Sequence, residues 1–141
     1  LRRREGGRAA RAHGVGSADD HAAGRLAEDV GELGDRDRAG LHELASRHPS
    51  IGDVRGLGCF WGVELVKSRE TREMLVPFNA SGEAAAPVGR LAKAALERGL
   101  YLMTHWNVIM VVPPLTITRD EADEGLAILD EALAVADEYA V

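Results

Sequence analysis

The chain has 141 residues, a net charge of −6 and 28% charged residues, which allows one ordinary domain with a real core. The charge is spread over both signs, which argues against the clustered Lys/Arg face of a nucleic-acid binder. The single Cys59 excludes an internal disulfide, and no Cys/His spacing resembles a zinc site.

Residues 1–40 are nearly all Arg, Gly, Ala, Asp or Glu, with only Leu1, Val15, Leu26, Val30 and Leu33 as large aliphatics. Such a mixture builds little core, so residues 1–40 are expected to be an atypical low-complexity leader, disordered or read out of frame. Arg2, Arg3 and Arg4 form the only basic run and are expected to be a solvated terminus. No apolar run approaches the ~20 residues needed to cross a bilayer. The first residues show charge but no apolar signal-peptide segment. A cytoplasmic protein that binds neither nucleic acid nor membrane is therefore expected.

From Leu41 onward the apolar patterning is regular. Val30 to His48 is a helix candidate with Leu33, Leu41, Leu44 and Ala45 for burial, weakened in its first half by Gly31, Gly34 and Gly40. Pro49 stops it. Ile51 to Val54 is a short extended run, and Gly56 and Gly58 form a bend. Cys59 to Val66 reads as a strand with Trp61, Val63 and Leu65 on one face and Phe60, Gly62 and Glu64 on the other. Lys67 to Pro87 is polar and broken by Pro77 and Gly82, so a long loop is expected.

Pro87 suits a first helical turn, and Val88, Leu91, Ala92, Ala95 and Leu96 follow at helical spacing up to a Gly99 cap. Leu100 to Met103 and Val108 to Val112 read as strands joined by His105, Trp106 and Asn107, and Pro113 and Pro114 end the second. Thr118 with Glu121 makes a capping box, opening a helix with a stripe of Ala122, Leu126, Leu129, Leu133 and Ala136. The order strand, strand, loop, helix, strand, strand, helix implies an α+β fold: a small antiparallel or mixed sheet with helices on one face.

Several features carry bland readings. Gly56, Gly58 and Gly62 miss the dinucleotide-binding spacing by one residue and precede a strand, so they are read as turn glycines. His42 and His48 are six residues apart and are expected on the surface. Asn79-Ala80-Ser81 is read as a chance sequon, and Cys59 as a small buried hydrophobe. His105, Trp106 and Asn107 stand out, because hydrogen-bonding and π character collect between two apolar strands. They are either a polar turn around one aromatic or the lining of a site.

The segments His48 to Gly58, Trp61 to Val66, Arg98-Gly99-Leu100, Asn107 to Thr118 and Asp123 to Leu133 resemble, in order and spacing, the C-terminal small domain of the class III (omega) aminotransferases. The pattern is most similar to members acting on taurine or other omega-amino acids. The resemblance assigns residues 41–141 to that domain of a fold-type I, homodimeric, pyridoxal-phosphate-dependent transferase. It implies transfer of an amino group from an omega-amino acid or amine to a 2-oxo acid. In that family a large-domain lysine holds the cofactor as a Schiff base, and neither Lys67 nor Lys93 stands in such a motif. The chain alone is thus expected to bind no cofactor and to have no catalytic residue.

The resemblance also implies that His105, Trp106, Asn107 and Arg55 belong to the substrate side. His105 stands where some relatives have an arginine before Trp-Asn, and Met103 or Met110 where others have one before Pro-Pro. Imidazole is a weaker, pH-dependent partner for an anion than a guanidinium fork. Arg55 has an alternative role as an ion pair with Glu64 or Asp53 supporting the turn. An alternative of another class is a non-catalytic small-molecule-binding or dimerisation module of the same fold.

Overall fold

The protein is represented by a computed structural model that describes residues 17–141, with side chains described from residue 30 onward. Arg2, Arg3 and Arg4, and the first part of the expected leader, lie outside the described residues. The chain runs α1 (Ser17–Arg47), β1 (Ile51–Leu57), β2 (Phe60–Ser68), β3 (Glu73–Met74), α2 (Ala86–Glu97), β4 (Met103–His105), β5 (Val108–Val111) and α3 (Arg119–Asp137).

Helix α1 begins thirteen residues before the expected Val30 start and continues through position 40. Its glycines do not interrupt it, because two of them serve packing. A Cβ on Gly34 would stand 2.5 Å from the Gly58 carbonyl oxygen, and one on Gly40 would stand 2.5 Å from Leu126. Close approach to the β1–β2 turn and to α3 thus offsets the weak helix propensity of glycine. Leu41 and Leu44 are buried as expected, and Leu33 and Ala45 are half-buried.

The end of α1 corrects the surface assignment of His48. Its ring is buried, with Nδ1 2.6 Å from Asp137 and Nε2 2.7 Å from Asp130, both carboxylates of α3. The hydrogen bond to His48, with Arg47 adding to it, holds the Asp130 carboxyl below its ordinary range. Ser50 adds Oγ–H to Asp137 at 2.6 Å. The guanidinium of Arg69 donates to the carbonyls of Ala45 and His48 (2.5 Å) at the helix end, where acceptors are left open, and to that of Ile51 (2.8 Å) at the start of β1. His42 remains exposed, edge-on to Trp61.

The sheet is antiparallel, in the order β1-β2-β5-β4, with β3 paired to the end of β2. Period-two alternation in β2 puts Trp61, Val63 and Leu65 inside, where they join Val54, Ile109, Leu91, Leu129 and Leu133 in one core. The β1–β2 connection is a tight hairpin at Gly58 (φ +55°), and a Cβ on Gly56 would meet the Phe60 carbonyl oxygen at 2.3 Å. The turn reading holds for Gly58, whereas Gly56 lies in β1 opposite Trp61 and Gly62 lies within β2 opposite Arg55.

The expected loop from Lys67 to Pro87 is more ordered than its composition implied. β2 runs on to Ser68, β3 pairs with it, and Leu75 and Val76 are core residues. A run of only three apolar residues, Met74 to Val76, carries no period, so burial there is decided by tertiary contact. Pro87 lies in the first turn of α2, and Gly99 (φ +99°) follows its end as the left-handed cap. β4 is displaced from Leu100–Met103 to Met103–His105, because the chain first has to return from the Gly99 cap. The Thr118/Glu121 capping box is present in both directions, and Ala122, Leu129, Leu133 and Ala136 of the expected stripe are buried.

Candidate functional site

Among the described residues the sheet has one covered face and one open face. Cross-strand register places Arg55, Gly62, Met110 and Met103 in one row of the open face, and Asp53, Glu64, Val108 and His105 in the next. Arg55, Leu57, Phe60, Met103 and His105 on this face are exposed. Three of these five, Leu57, Phe60 and Met103, are large and apolar, which makes the face an unfinished surface rather than a solvated one.

At one corner of this face the β4–β5 turn consists of Trp106 and Asn107. Trp106 has φ +50°, a left-handed conformation that bulky side chains rarely adopt. Asn107 holds it there. The buried Asn107 side chain donates Nδ2–H to the Leu65 carbonyl at 3.1 Å, while the backbone carbonyl of Asn107 accepts from Leu65 N–H at 2.7 Å. This double attachment over-determines the turn, as strained backbone requires. The Trp106 ring lies 4.0 Å from the His105 ring and 4.2 Å from that of Phe78, centroid to centroid.

The structure therefore brings His105 and Trp106 into one aromatic cluster and turns Asn107 inward beneath it. Phe78 is the member that sequence reading missed. It lies in the segment read as a featureless loop, and its only local signal was the preceding Pro77. Arg55 is on the same face but on β1, at the opposite side of the four-strand order. With strands about 4.8 Å apart it stands at least roughly 14 Å from His105. Its Nη1 meets Asp53 at 2.5 Å and Glu64 at 2.8 Å. The Glu64 bond, then the Asp53 bond, raise the guanidinium above its ordinary pKa.

The groups available to hold a cofactor or metal are few. Lys67 is paired with Glu73 at 2.7 Å, and Lys93 projects from the exposed side of α2. Neither sits in the dry pocket that an amine nucleophile needs. The N-terminus of α3 is closed to an anion by the Glu121 and Asp120 carboxylates. Among the described residues no group of three or more His, Cys, Asp or Glu is placed to hold a metal ion. No described helix is long and apolar enough to cross a membrane. Cys59 is buried, its thiol raised by burial and then by the Asp37 charge, as suits an inert small hydrophobe.

Comparison with known proteins places this geometry. A 5-aminovalerate aminotransferase of Pseudomonas aeruginosa is 37% identical over 110 residues, which is 76% of this chain and 24% of that protein. A taurine–pyruvate aminotransferase of Bilophila wadsworthia is 32% identical over 119 residues, 80% of this chain and 25% of that one. The solved structure of an omega-aminotransferase from Paracoccus denitrificans superposes with a TM-score of 0.67 at 35% identity, covering 77% of this chain and 23% of its own. The chain thus spans about a quarter of the length of the relatives it matches. The sequence profile of the aminotransferase class-III family matches residues 15–133. With that match and the fold in agreement, the chain belongs to the class III aminotransferase family.

Proposed function

We propose that this chain is the small domain of a transaminase that moves an amino group from an omega-amino acid or amine to a 2-oxo acid, working as a homodimer in the cytoplasm. The carrying observation is the contrast between the open sheet face, with its restrained aromatic corner, and the two lysines, both committed elsewhere. Pyridoxal phosphate, when bound, supplies the electron sink for such transfers. The described residues do not fit it as an anchor, so the chain by itself is read as inactive. The anchoring lysine belongs to the segments that the longer relatives possess.

On this reading His105 donates to the carboxylate or sulfonate of the substrate and Trp106 forms an apolar wall beside it. Asn107 positions both by fixing the turn. Arg55, already engaged by Asp53 and Glu64, supports the face from its far edge. The test is a chimera in which this chain replaces the matching quarter of the Pseudomonas aeruginosa relative. His105→Ala should raise KM for omega-amino acids and leave simple amines unaffected; an unchanged substrate profile would end the assignment. Separately, the chain alone treated with pyridoxal phosphate and borohydride should show no saturable labelling. Stoichiometric labelling of Lys67 or Lys93 would reverse the reading of the chain as inactive.

A further inference from the structure

Asp37 stands in the middle of the inward stripe of α1, between Gly34 and Leu41, and is 3% exposed. Its Oδ2 is buried without a hydrogen-bond partner among the described residues. Arg36, its neighbour in sequence, is engaged by Asp123 of α3. A buried carboxylate oxygen left bare is costly and rare, so its surroundings matter.

Asp37 contributes to a cavity of about 270 Å³ between α1, α3, β4 and the Pro113–Pro114 segment. Leu100, Leu102, Val111, Ile117 and Leu129 supply most of the wall, with Met103, Val112 and Pro114 near the solvent side. The charged groups lining it are Asp37 and Glu121, and no Lys, Arg or His lines it among the described residues. It shares no residue with the His105–Asn107 corner or with Arg55.

We propose that this cavity is a binding site for a small aliphatic ammonium, its charged head toward the Asp37 carboxylate and its apolar chain along Leu100, Val111 and Leu129. Of the two carboxylates lining this apolar chamber, Glu121 already accepts from Thr118, which leaves Asp37 as the group that orients such a ligand. Ammonium is all donor and carries the charge that the carboxylate lacks a partner for. Neutral alcohols offer one weaker donor, and carboxylates repel. Burial holds the Asp37 carboxyl above its ordinary range, and a cation beside it would favour the ionised form.

The test titrates the 141-residue chain with hexylammonium, hexanol and hexanoate and follows the methyl NMR signals of Leu100, Val111 and Leu129. Hexylammonium should shift them saturably and bind roughly tenfold or more tighter than hexanol, with hexanoate inert. Asp37→Asn should erase the preference for the cation. Gly125→Leu should block binding while leaving Asp37 in place, since a side chain there grows toward Leu100, 3.8 Å from the Cβ position. Equal binding of hexanol and hexylammonium, or a preference that survives in Asp37→Asn, overturns the site. So does the absence of any shift, which would make Asp37 a defect in the core. The comparison of the three probes stands on the unaltered chain, whatever the folding of either variant.

Discussion

Two single residues carry opposite kinds of cost and restraint. Asp37 puts a carboxyl where the helix otherwise buries glycine and leucine, and burial raises its pKa. A folded-state pKa above the unfolded value favours the protonated native state. Stability tied to this group is therefore fully present below the unfolded pKa and is lost as pH rises through the folded one. Asp37→Leu should stabilise the chain at neutral pH by about 1–3 kcal/mol and remove that decline, measured by urea unfolding at a series of pH values. Asn107 does the reverse, since its amide satisfies a buried carbonyl of Leu65. Asn107→Ala should cost about 1–3 kcal/mol in the same unfolding experiment. It should also release Trp106 from its left-handed conformation, seen as a change in native fluorescence. His48, by contrast, was misread from sequence because its two carboxylate partners lie more than eighty residues away.

At the scale of elements, α1 is the member whose extent departs furthest from its composition. Glycine-rich sequence argues for a frayed helix start, yet Gly34 is where α1 approaches the Gly58 backbone. Gly34→Ala improves intrinsic helix propensity and should nonetheless destabilise, by about 1–3 kcal/mol, because a backbone carbonyl cannot move aside as a side chain can. Thermal unfolding of that variant beside Gly31→Ala, a position with open space around its Cβ, separates propensity from packing: Gly31→Ala should be neutral or stabilising. α3 is held to α1 by more than apolar contact. Arg36 to Asp123 and Arg47 to Asp130 cross between the two helices, although exposed pairs of this kind contribute little each. The buried His48 clamp is the more specific attachment.

At the scale of the whole molecule, α1, α2 and α3 cover one face of the sheet and, among the described residues, leave Leu57, Phe60 and Met103 on the other, 87%, 59% and 52% exposed. A face of that character belongs against another surface. The chain purified alone should self-associate in a concentration-dependent manner, measured by light scattering and sedimentation. Replacing Phe60 and Met103 by Ser should reduce the association without changing the unfolding midpoint by more than a few degrees. A monodisperse, cooperatively folded monomer would instead favour the alternative of a stand-alone binding module.

Periodic segments were legible without coordinates. The β2 alternation, the α2 start at Pro87 with its Gly99 cap, and the α3 capping box and stripe follow from local rules, because each is decided within one turn or one strand. The order of those elements was enough for the α+β class, and motifs such as Asn107 to Thr118 for the family resemblance. Only the tertiary structure decided that Leu75 and Val76 are core, that His48 is clamped by α3, and that Phe78 completes the cluster around Trp106. It alone placed Arg55 and His105 on one face yet far apart, and left Asp37 bare inside a cavity. Each of these depends on partners distant in the chain. Periodicity records which side of an element is buried, but not what waits on the other side of the contact.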